Sequence, residues 1–144
     1  MSEDALRQIV RRELSPFGKL IRIENMVNAG TPDINYLIRR YPKVEPACGW
    51  LELKHEDRWP TRRTTVFRCA SLTREQVDWQ THWALAGGRV WTLIQVHRDY
   101  LLVDHLTLGA LFALQLHPPD LRRMAKVQGV GSLPTAEIVK CLTA

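Results

Sequence analysis

Leu6, Ile9, Val10 and Leu14 recur at helical spacing, which predicts a first helix carrying a single apolar stripe. Ser2 is placed to cap it, with Glu3 and Asp4 favourable in its first turn, and Ser15-Pro16 with Gly18 stops it. Three short apolar runs follow, at residues 20–26, 33–39 and 49–55, and read as strands. Turn signals separate them at Asn28-Ala29-Gly30 and from Tyr41-Pro42 to Pro46. Such short connections predict antiparallel neighbours. Thr73-Arg74-Glu75-Gln76 opens a second helix as a capping box, and Gly87-Gly88 closes it. Residues 90–96 form a strongly apolar strand, with a shorter one expected at 100–103. The run 106–116 is apolar nearly all round, as in a buried or partner-facing helix, and Pro118-Pro119 ends it. A short helix at 120–126, a loop at 129–131 and a last helix at 134–142 complete the chain.

The order α, β, β, β, α, β predicts an α+β fold. The helical crossover before residues 90–96 allows a parallel pair, and so a mixed sheet flanked by helices. With 144 residues the chain is expected to form a single domain. Its core would span about residues 3–103, with a helical C-terminal extension over about 104–144.

Composition narrows the function only a little. The formal net charge of +5 is compatible with a polyanionic partner, although many soluble proteins are as basic. Cys48, Cys69 and Cys141 are widely spaced and lack a C-x-x-C pair, which argues against a zinc ribbon, a thioredoxin-type site or a four-cysteine iron–sulfur cluster. The odd cysteine count and the acidic, polar start fit a reducing cytoplasm rather than secretion. No apolar run reaches membrane-spanning length, so no membrane partner is expected.

The chemistry-bearing pattern lies on two of the strands. Asp33 follows Gly30-Thr31-Pro32 at the head of one strand, and Trp50-Leu51-Glu52-Leu53-Lys54 lies within the next. Alternation turns Trp50, Glu52 and Lys54 to one face, and Leu51 and Leu53 to the core. Two carboxylates with a lysine at their edge form an anionic pocket suited to a hard divalent cation. A D/E-x-K triplet alone is cheap, expected about once in a chain of this length from average residue usage. The information is in the conjunction with Pro-Asp, the flanking apolar residues and the capped helix that follows.

Pro32-Asp33 followed by Glu52-x-Lys54 resembles the PD-(D/E)XK nuclease signature, with greatest likeness to small phage and VRR-NUC-type members and to Holliday-junction resolvases. The resemblance spans roughly residues 13–96 and implies a restriction-endonuclease-like αβββαβ core. It implies a Mg²⁺-dependent endonuclease acting on branched or junction DNA, with Mn²⁺ able to substitute, in a bacterial or phage-infected cell. Asp33 and Glu52 would be metal ligands, the Leu53 carbonyl a further one, and Lys54 would orient water and stabilise negative charge.

Glu13 resembles the acid that resolvase-like members supply from the first helix; the other reading pairs it with an arginine such as Arg22. Glu24 competes as third acid. Gln76 matches the helix Gln or Glu often found beside such sites, and equally serves its capping box. Arg58, Trp59, Arg62, Arg63 and Arg68 are the expected DNA contacts, the arginines to phosphates and the aromatic to an unpaired base. Trp79 and Trp83, one turn apart, read as packing, and His55 should face away from the pocket. Junction cleavage requires two active sites, so a homodimer is a further expectation; 106–116 could supply its interface or belong to the core.

Overall fold

The computed structural model describes residues 2–24 and 29–144. Helix α1 (Glu3–Leu14) begins where expected: the Ser2 hydroxyl accepts from the Ala5 amide at 3.1 Å, and Leu6, Val10 and Leu14 are fully buried. Strands β1 (Gly18–Arg22), β2 (Ile34–Ile38) and β3 (Ala47–Glu56) follow, then α2 (Arg74–Leu85), β4 (Val90–Val96) and β5 (Asp99–Val103). Next come α3 (His105–Phe112), α4 (Pro118–Met124), β6 (Val127–Val130) and α5 (Thr135–Leu142). The six strands form one sheet in sequence order. Only the β3–β4 pair, joined through α2, is parallel. The expected α+β class with a mixed sheet is the one observed.

Alternation along the strands divides the core in two. Leu51, Leu53, Leu93 and Leu102 face α1 and α5, whereas Ile94, Val96, Leu101 and Val103 face the side holding α3 and α4. On that second side Trp50 meets Trp79 of α2 edge-on at 5.3 Å, and Trp79 stacks on Trp83 at 5.2 Å. The two helix tryptophans pack, as their spacing implied. Among the described residues no helix is long and apolar enough to cross a membrane.

Three expectations need correcting. The first strand begins at Gly18, which pairs with Ile38, and ends at Arg22, opposite Ile34; Ile23 and Glu24 fall outside it, and the rest of the expected run to Met26, with the Asn28 turn position, lies outside the described residues. The apolar run 106–116 does not stay helical: α3 stops at Phe112, Leu114 takes a positive φ of 57°, and Leu106 is exposed. Residues 129–131 are not simply a loop, since Gly129 and Val130 belong to edge strand β6, paired with β5.

The C-terminal third is consequently more than a helical extension. Ile138, Val139 and Leu142 of α5 lie in the same core cluster as Leu6 and Leu51. The buried Tyr36 hydroxyl donates to the Leu142 carbonyl at 2.8 Å, and burial holds that phenol well above its ordinary range. Gly49 is obligatory beneath this ring, because any Cβ there would overlap the Tyr36 phenol. Tyr36→Phe leaves a buried carbonyl without its donor and should cost about 1–2 kcal/mol, read as a lowered urea midpoint at unchanged slope.

Candidate active site

The site forms where β2 runs out beside β3. Their pairing begins at Ile34 opposite Leu51, so β3 continues past Leu51 with no β2 partner. Asp33, one residue ahead of β2, fills part of this notch, and its carboxylate accepts from the Leu53 amide at 2.9 Å. The N–H and C=O of one strand residue point to the same side, so the Leu53 carbonyl also faces the notch. The turn carrying Asp33 is seated on the start of α2: Gly30 has φ 95°, and a Cβ there would collide with the Glu75 backbone.

Glu52 and Lys54 emerge on the face opposite Leu51 and Leu53, and both are buried, 1% and 2% exposed. Glu52 Oε1 lies 3.6 Å from Lys54 Nζ, and Glu52 Oε2 is buried with no hydrogen-bond partner among the described residues. Burial is the largest influence on the Glu52 carboxyl, followed by the adjacent Asp33 carboxylate. Together they outweigh Lys54 and push it up to about 9. Opposite Glu52 on β4 stands Thr92, bonded to the buried Gln80 of α2 at 2.8 Å, which fixes the floor beside the acid.

The acid that α1 contributes is Glu3, not Glu13. Glu3 accepts from the Ser71 hydroxyl at 3.1 Å and acts electrostatically on Glu52. Glu13 lies ten residues further along, about 15 Å at 1.5 Å per residue, beyond the reach of a glutamate side chain. It pairs with Arg12 at 3.5 Å rather than with Arg22, whose partner is the exposed Glu24 at 3.6 Å. Glu3 precedes Leu6 by three positions, in line with the buried stripe Leu6, Val10, Leu14, a sequence signal that it shares with Glu13.

Gln76 is held by the capping box: its side chain accepts from the Thr73 amide at 3.0 Å, and its amide donates to the Thr73 hydroxyl at 3.2 Å. The structure thus gives Gln76 its capping role. His55 alternates away from Lys54, as expected, and its ring lies 3.9 Å from Asp57.

The long connection between β3 and α2 carries the five expected DNA contacts. Arg58, Arg62, Arg63 and Arg68 are exposed along it. Trp59 is not the free stacking platform expected of it. Its indole donates to Asp99 at 2.6 Å, Arg122 covers its ring at 4.3 Å, and Phe67 packs against it at 5.0 Å. Asp99 also accepts from Arg122 at 3.0 Å, so this acid ties the start of the connection to the β4–β5 turn and to α4. The far end is anchored to the site itself. Glu56 accepts from the Ala70 amide at 3.0 Å, and Lys54 donates to the Ser71 carbonyl at 3.0 Å. Neither Asp99 nor Ser71 carried a sequence signal, since each acts through contacts made at long range.

Among the described residues no group of three or more His, Cys, Asp or Glu side chains forms a ready metal cage. The pair Asp33 and Glu52 is nevertheless of the kind Mg²⁺ uses, because that ion keeps several waters and needs only one or two carboxylates. The fit to a cation lies in the pair of acids: Glu52 Oε2 has no donor among the described residues, and the Asp33 carboxylate lies within hydrogen-bond reach of the Glu52 carboxyl, so at this depth the two must share a proton or meet a cation. Comparison with known protein families and with curated proteins finds no match to this chain.

Proposed function

We propose that the chain is a Mg²⁺-dependent endonuclease that cuts DNA of branched or otherwise irregular structure, in the manner of the PD-(D/E)XK nucleases it resembles. The observation that carries this reading is the meeting of Asp33, Glu52 and Lys54 in the notch, where two buried acids face each other and one carboxylate oxygen finds no donor among the described residues. Asp33 and Glu52 would hold the metal, and the Leu53 carbonyl faces the same space. When bound, Mg²⁺ supplies Lewis-acid stabilisation of charge on the phosphoryl oxygens and lowers the pKa of water. Lys54 contributes a fixed ammonium beside Glu52, positioned to orient water and to offset negative charge developing on the phosphate. Glu3, held by Ser71, adds negative charge at the rim and replaces Glu13 as the supporting acid of this reading.

The Ser71 segment is bonded to Lys54 and to Glu3, and Glu52 and Lys54 are almost wholly covered. Phosphate entry requires this segment to shift, exchanging the Lys54–Ser71 bond for contacts with the substrate. This closure favours one competing reading, a DNA-binding protein of nuclease-like fold that does not cut. Purified protein incubated with branched, flapped, single-stranded and plain duplex DNA, in Mg²⁺ or chelator, separates the two. Metal-dependent cutting of the irregular substrates is the expected outcome; gel shifts without cutting in any metal would leave the binder.

The supporting acids can be ranked in the same assay. Glu3→Gln should slow cutting roughly tenfold, the scale of a change of about 1.4 kcal/mol at the barrier, whereas Glu13→Gln should leave the rate within a factor of about two. Equal effects of the two substitutions would return Glu13 to the site.

A further inference from the structure

Beyond Lys54, β3 reaches Glu56 on the same face, about 7 Å further along the strand. A cavity of about 450 Å³ opens there, formed by Glu56 and the first and last parts of the β3–α2 connection. The residues lining it include two arginines, Arg58 and Arg68, with Asp57, Thr61 and the aromatic Trp59 and Phe67. Three of its lining residues are anchored before any ligand arrives: Trp59 is tied to Asp99, Phe67 is buried with its amide donating to the Leu116 carbonyl at 2.9 Å, and Glu56 is bonded to Ala70, whereas Asp57, Arg58, Thr61 and Arg68 are exposed side chains.

A site for phosphate alone would not line itself with carboxylates. Cations, acids and aromatic edges together suit a ligand with an anionic part, hydrogen-bond donors and a flat apolar body. The cavity lies within the 300–1,000 Å³ range of small-molecule pockets, room enough for a mononucleotide, and it is concave where a duplex is convex. A base paired within a helix cannot enter it, and a base already unpaired enters without the cost of unstacking.

We infer that this cavity is a subsite for one unpaired nucleotide of the DNA strand next to the phosphate that is cut, and that filling it is what sets irregular DNA above continuous duplex. The inference rests on the nuclease reading for the position of the cut and on the cavity for the preference. Arg58 and Arg68 take the nucleotide's phosphate, Asp57 and Thr61 its polar edge, and the exposed part of the anchored Trp59 its base. Arg62 and Arg63 lie outside the cavity and serve either substrate by charge.

The test is affinity in chelator, where no cutting occurs. Two dye-labelled duplexes of the same sequence are compared by fluorescence anisotropy at fixed salt, one fully paired and one with a short unpaired flap. The flapped DNA is expected to bind at least tenfold tighter. Thr61→Trp, at an exposed position where the larger side chain fills the cavity, should bring flap binding down to the duplex level, and Arg68→Ala should move it the same way. Arg62→Ala should weaken both substrates by the same factor. Equal affinity for the two DNAs in the unaltered protein, or a preference that survives Thr61→Trp and Arg68→Ala, would overturn the subsite. Cutting is scored separately in Mg²⁺: a preserved flap preference without any cutting would remove the nuclease reading and leave the subsite standing.

Discussion

Asp33→Asn is expected to lower Mg²⁺-dependent cutting roughly 10³-fold or more while leaving DNA affinity in chelator near that of the unaltered protein. The amide retains an acceptor for the Leu53 N–H, which Asp33 now meets at 2.9 Å, so the notch keeps its shape. What is lost is the charge. A site with two carboxylates would keep one, and stabilisation of the transition state by a cation is worth several kcal/mol, each 1.4 kcal/mol being tenfold in rate. Single-turnover cleavage measured beside anisotropy separates the two effects. Full activity in this variant would remove Asp33 from the mechanism, and a matching loss of binding would show that the substitution disturbs more than the metal site.

Glu52→Gln is expected to do two opposite things: abolish cutting, and stabilise the fold when no divalent cation is present. Glu52 is buried beside Asp33, and its carboxyl is pushed up to about 9 from an ordinary value of 4.5. The sign follows from proton linkage. Between those two values the folded state holds a proton that the unfolded chain has released, so stability falls as pH rises through the window and the penalty is complete above it. At pH 8 in chelator the neutral amide avoids this penalty, a gain on the order of a few kcal/mol. At pH 4 both forms are neutral and the difference should vanish. Mg²⁺ should raise the melting temperature of the unaltered protein at pH 8 and leave that of Glu52→Gln unmoved. Thermal melts at the two pH values, with and without Mg²⁺, decide it. A destabilised Glu52→Gln at pH 8 in chelator would mean that the Glu52–Lys54 pair, 3.6 Å apart, outweighs burial.

The parts of this arrangement that sequence revealed are those governed by local rules. The capping box at Thr73, the stop at Gly87 and the alternation that separates Glu52 and Lys54 from Leu51 and Leu53 depend only on residues a few positions apart. Strand β6 was hidden because Val127-Gln-Gly-Val is short and punctuated by glycine, and only pairing with β5 makes it a strand. The third acid was hidden for a different reason. Glu3 and Glu13 both fall beside the apolar stripe of α1, and helical period alone cannot rank them. What separates them is position along the helix relative to β3, which belongs to the tertiary packing. Trp59 shows the converse case: composition marked an aromatic among arginines, but its partners Asp99 and Arg122 lie far along the chain, on β5 and α4. Burial of Lys54 under Ser71 belongs to the same class of long-range fact.

Diffraction from crystals soaked in Mn²⁺, recorded at a wavelength where manganese scatters anomalously, tests the heart of this reading without depending on any substrate. An anomalous peak contacted by the carboxylates of Asp33 and Glu52, and lost in Asp33→Asn crystals soaked in the same way, is the expected result. Mn²⁺ held elsewhere on the protein, with Glu52 Oε2 still unpartnered at saturating metal, would contradict it.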